Sequence, residues 1–144
     1  MRFAVAVLSL LFCSEVLAQT RTETTLLASA RRQGTQTSNS IVTRTESLDF
    51  EVSMTLDPAD VTDPTNSILL TLEGFFNDSQ SWQRLTVGLW EGGKLDREGN
   101  PRQPFIGYAS NAKPDRVRLV VDLSKSQICS ARLSEAARSD QRVK

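Results

Sequence analysis

The chain has 144 residues, with seventeen Lys and Arg against seventeen Asp and Glu, and no histidine. Balanced charge gives no electrostatic footprint for nucleic acid or an anionic membrane. The missing imidazole removes Ser-His-Asp and Cys-His catalysis, and with them the commonest zinc ligand.

Met1-Arg2 opens the chain, residues 3–12 are almost entirely apolar, and Val16-Leu17-Ala18 ends the stretch on a small residue. Basic start, short apolar run and small-residue site are the order of a secretory signal. The run is about half of what a bilayer crossing needs, roughly twenty residues. The pattern predicts cleavage after Ala18, a secreted or periplasmic product and no membrane insertion afterwards. Phe12 stands where a lipid-attachment site would place a small residue before Cys13, so no lipid anchor is expected. Cleavage removes 18 of the 144 residues and leaves 126, the size of one domain. Cys129 then stands alone, which excludes an internal disulfide.

Residues 19–40 are rich in Thr, Ser, Gln and Arg. They read as a flexible N-terminal arm with a first strand at residues 26–30 and a loop over 33–40. Leu48, Phe50, Val52, Met54 and Leu56 alternate with polar residues, the period of a strand with one wet face. Asp57-Pro58 ends it, and residues 57–66 read as a loop punctuated by two Asp-Pro steps. Residues 67–73 form the next strand, broken at Gly74, and residues 77–81 a turn. Residues 84–91 follow, with Leu85, Val87 and Leu89 on one face and Trp90 on the other. If the three aliphatics face the core, Trp90 faces out. Gly92-Gly93 opens a long loop through residue 103, then come a short strand at 105–109 and a turn at 111–115. Strands at 117–123 and 126–133 complete the domain, and residues 134–144 read as a short helix or tail.

Six or seven short alternating strands predict an all-β fold built from antiparallel sheets, best arranged as one β-sandwich of immunoglobulin or jelly-roll type over residues 41–133. A partly open barrel is the alternative.

Chemistry-bearing motifs are sparse. Ser110 and Lys113 match the Ser-x-x-Lys spacing, but the stretch runs into Pro114 and reads as a turn. Asp57, Asp60 and Asp63 share one loop and are the calcium candidates, without the full ligand pattern of a calcium loop. The expectation is no cofactor, no metal and no catalytic residue. Phe76, Trp82, Trp90 and Tyr108 are the candidate partner-binding residues, because Trp and Tyr on a sheet face anchor proteins or stack on sugar rings. The reading is a non-catalytic binding module whose partner is a protein, a surface glycan or another copy. A small carbohydrate-active enzyme with paired carboxylates is a further alternative.

Thr25-Leu26-Leu27-Ala28-Ser29-Ala30 before a Gly/Thr/Ser stretch, and Asp78-Ser79-Gln80-Ser81-Trp82-Gln83 before Leu89-Trp90-Glu91-Gly92-Gly93, resemble segments of small β-sandwich proteins of bacteriophage virions. The resemblance covers about half of the chain after Ala18. It implies a structural or decoration module of a tail or capsid, with no catalytic residues to carry over. An export signal is a departure from that group.

Overall fold

The structure, a computed structural model, describes residues 20–138. The expected leader and cleavage site, Cys13, and the tail beyond Arg138 lie outside the described residues.

Seven strands and one short helix follow in the order β1 (Thr22–Thr37), β2 (Ile41–Val42), β3 (Ser47–Leu56), α1 (Pro58–Val61), β4 (Ser67–Phe76), β5 (Ser81–Glu91), β6 (Phe105–Ala109) and β7 (Arg116–Ala137). They make an all-β, antiparallel, nearly barrel-shaped sheet. No helix among the described residues is long and apolar enough to cross a membrane.

β7 organises the rest. Every second residue from Val117 to Glu135 is buried, except Lys125. One face of this strand therefore points inward along almost its whole length. Leu56 of β3 lies opposite Cys129, and Ile68 of β4 lies opposite Leu123. The end of β3 and the start of β4 thus meet at the middle of β7. β5 pairs with β4, β6 pairs with β3, and β1 runs along β7 from Glu135 to Val120. The core gathers Phe50, Val52, Met54, Ile68, Leu70, Leu72, Leu119 and Leu133 between these strands. Each such side chain contributes about 1.5–3 kcal/mol on burial.

The strand expected at 117–123, that at 126–133 and the start of the 134–144 tail are one element. Ser124, Lys125 and Ser126 look like turn chemistry but are strand residues at the crossover between β4 and β3. The polar groups around them are used there. Gln127 Nε2 donates to Asn66 Oδ1 at 3.2 Å, and Asn66 Nδ2 donates to Gln127 Oε1 at 2.8 Å, with both residues buried. Asn66 Nδ2 also donates to the Asp60 carbonyl, and Ser124 Oγ to Asn66 Oδ1. A buried amide pair satisfied this way is neutral to stability; one left half-satisfied is costly.

Three other expectations change. Residues 33–37 are strand, not loop, because β7 supplies a ladder partner whatever the polarity of Gln33, Thr35 and Gln36. Gly74 does not break β4, which continues to Phe76. A Cβ there would stand 2.7 Å from Pro114 Cβ and 2.9 Å from a Leu85 methyl, so the glycine makes room for a bulge at Leu85. Residues 57–66 are not wholly loop, since Pro58 at the first turn starts α1.

Two stability measurements check these contacts. Gln127→Leu removes both reciprocal amide bonds and leaves Asn66 only the Asp60 carbonyl and the Ser124 hydroxyl, and urea denaturation should show a loss of about 1–3 kcal/mol. Gly88→Val should cost about 1–3 kcal/mol by overpacking, because a Cβ at Gly88 of β5 would lie 2.4 Å from Ile106 Cγ2 of β6. Ile106→Ala in the same chain should return part of the Gly88→Val loss.

Candidate functional site

Strand β5 decides which residues reach solvent. Thr86, Gly88 and Trp90 lie opposite Leu72, Leu70 and Ile68, all buried. The inward series of β5 is thus the small or aromatic one, and Val87 and Leu89 point out. Trp90 is only 6% exposed while Leu89 is 65% exposed, the reverse of the expectation for both. Gly88 explains the inversion: β6 approaches β5 so closely that an aliphatic residue would not fit there. The Trp90 indole N–H donates to the Arg102 carbonyl at 2.6 Å, which fixes the ring beneath the long loop.

The four aromatic candidates therefore do not form one surface. Tyr108 stacks on buried Phe50, ring centroids 6.4 Å apart, and packs against the core. Phe76 ends β4 at the parity of its buried residues. Trp82 lies opposite Phe75, on the outer side of the sheet. Its ring meets Phe75 at 5.4 Å, and the Arg118 guanidinium sits 4.0 Å above it. Arg118 also donates to Glu73 at 2.7 Å. A cation over an indole contributes about 0.5–2 kcal/mol. Phe75 and Arg118 both contact Trp82, so the ring is a packed member of the surface.

The outer side of β5, β4 and β7 reads in rows across the strands. Leu89, Leu69 and Asp122 form one row, continued by Thr35 of β1. Val87, Thr71 and Val120 form the next, continued by Thr37. Arg84, Glu73 and Arg118 follow, then Trp82, Phe75 and Arg116, with Val42 of β2 beside Arg116. Leu69, Val87, Leu89 and Val42 are exposed, Val42 at 70%. Phe105 of β6, 55% exposed, adds to the edge beside Leu89. Phe75, Arg118, Val42 and Leu69 were not among the expected partner-binding residues. For Phe75 and Leu69 the signal lies in the opposite parity of β4, which becomes decisive once Gly88 is seen as a close-approach position.

A recess of about 70 Å³ lies between Leu89, Trp90, Lys94, Arg102 and Phe105. Small-molecule sites usually span about 300–1,000 Å³. Lys94 bridges to Glu91 at its rim, 2.6 Å away, and holds that carboxyl below the usual carboxylate range. No group of three or more acidic, Cys or His side chains is placed to hold a metal among the described residues. Of the calcium candidates, Asp63 is engaged by Lys125 and by the Thr65 hydroxyl and backbone N–H, which separates it chemically from Asp57 and Asp60. Ser110 Oγ accepts from the Ala112 N–H and closes a turn. Burial pushes the Cys129 thiol up, an effect that Arg32 partly opposes.

The chain matches no protein-family model and no curated protein.

Asp63 gives the structure a measurable acid limb. Lys125 and Thr65 hold its carboxyl down to about 2, below the ordinary aspartate value. The stabilisation is present above about pH 4 and is lost as pH falls toward about 2. Chemical denaturation of Asp63→Asn should therefore show lower stability than the parent at pH 7. The difference should close between about pH 4 and about pH 2; a constant difference across that range would contradict the assignment.

Proposed function

We infer that the chain is an exported, non-catalytic β-domain that acts by contact or assembly through the outer side of β5, β4 and β7. The observation that carries this reading is the register of that side. Leu69, Val87 and Leu89 stand together in solvent, beside a Trp82–Phe75–Arg118 cluster. Scattered exposed aliphatics are ordinary, but a contiguous patch rimmed by charge marks an interaction surface. The basic-apolar-small order of the leader supports export, and the absence of histidine from the sequence removes the imidazole-based catalytic arrangements.

A protein partner fits better than a neutral glycan. Aliphatic side chains gain by burial against other apolar groups, whereas sugar recognition relies on an open aromatic face. Trp82 is flanked by Phe75 and Arg118, and Trp90 is buried. A structural role in a virion, as the sequence resemblance implies, is one form of this same reading.

Site-specific photocrosslinking tests it. A photoreactive residue replacing Val87 or Leu69 should yield discrete protein adducts in the envelope fraction of the expressing cell. The same residue at Asp78, on the β4–β5 turn, should not. Absence of adducts at Val87 and Leu69, with the chain folded, would remove this side as a contact surface.

A further inference from the structure

The two end rows of the outer side are complementary to each other. Asp122 at one end and Arg116 at the other are exposed, and neither takes part in an ion pair among the described residues. Both lie on β7, three rows apart in the pattern given above. A two-fold axis lying across the strands, between the Val87 row and the Arg84 row, turns the first row onto the last. Each β5 then faces the other β5, β4 faces β4, and β7 faces β7. Leu89 meets Trp82 of the other copy, Leu69 meets Phe75, and Asp122 meets Arg116. At the outer column Thr35 meets Val42. In the middle, Val87 lies over the aliphatic stem of Arg84, and Thr71 over Glu73. The Leu89–Leu69 pair falls on the Trp82–Phe75 pair, the Val87 row falls on the charged Arg84–Glu73–Arg118 row, and Asp122 and Arg116, of opposite sign, fall on each other twice.

We propose that this side docks a second copy of the chain, as a face-to-face two-fold dimer held by the Leu89–Trp82 and Leu69–Phe75 contacts and aligned by reciprocal Asp122–Arg116 pairs. The inference rests on the reading that this side is the contact surface, and it names the occupant. Isologous dimers are the commonest closed assemblies, and they require a patch that complements itself under rotation. Four strand columns about 4.8 Å apart and four rows about 6.8 Å apart give roughly 500 Å² of face per copy. A standard stable interface takes about 800 Å² per partner, so the dimer is a weak and reversible one.

Sedimentation velocity on the chain without its leader, from about 5 to about 500 µM, reads this directly. The expected result is a concentration-dependent shift from monomer to dimer. Val87→Asp should raise the dissociation constant at least about tenfold. Asp122→Arg and Arg116→Asp should each do the same alone, because each sets like charges opposite one another. An equimolar mixture of those two variants should recover dimer. The arginine introduced in one variant then faces the aspartate introduced in the other, and the native pair forms at the second contact. Both positions are exposed and unpaired, so circular dichroism should show an unchanged fold. A monomer throughout the range overturns the proposal, as does a dimer indifferent to these substitutions or a mixture that stays monomeric. Those outcomes are separable from failure of the wider reading: a monomeric chain that still crosslinks through Val87 to a different protein keeps the contact surface and loses only the second copy.

Discussion

The structure depends on one strand keeping one face inward over its whole length. β7 buries alternate side chains from Val117 to Glu135 while changing partners from β4 to β3 on the way. A one-residue slip anywhere would turn the remainder of the strand inside out, because side chains alternate with a period of two. The crossover is where such a slip is easiest, since Ser124, Lys125 and Ser126 offer no apolar preference. Gln127 and Asn66 remove the ambiguity there. Their reciprocal amide bonds are made in one register, and a shifted register would break both of them.

How much of this was legible depended on whether polarity and burial agreed. β3 was legible because Phe50, Val52, Met54 and Leu56 alternate with polar residues and all four are buried. β6 and the turns at residues 77–81 and 111–115 were legible for similar local reasons. β5 misled because both of its faces carry apolar residues, and what decides between them is Gly88, whose meaning lies in the proximity of Ile106 on a distant strand. Trp90 followed it into the core. β1 misled in the other direction. Only Leu26 and Leu27 of its apolar residues are buried, yet sixteen residues are strand, because backbone pairing with β7 needs no hydrophobic side chain. The all-β, antiparallel character was therefore written locally. The joining of the last elements into one strand and the choice of outward face were written in long-range pairs.

The candidate surface inherits its character from those pairs. An outward Val87 and Leu89 follow from an inward Gly88, so the packing that closes β5 against β6 also sets apolar groups in solvent. Arg118 illustrates the same coupling. It lies on the outer side of the strand that organises the core, holds Glu73, and covers the Trp82 ring. Trp82 enters that surface as a packed ring, in contact with Phe75 and Arg118.

The pairing of the first strand with the last has a consequence in time. Thr22 lies opposite Glu135, and Arg21 donates to Ser134 Oγ at 2.6 Å and to Asp49 at 3.2 Å. As the chain emerges in order, β1 has no ladder partner until nearly every later residue has been made. Long-range pairing of this kind is slow, because loop closure must precede the contacts that reward it. A chain so arranged stays pliable during synthesis and locks only when its last strand arrives.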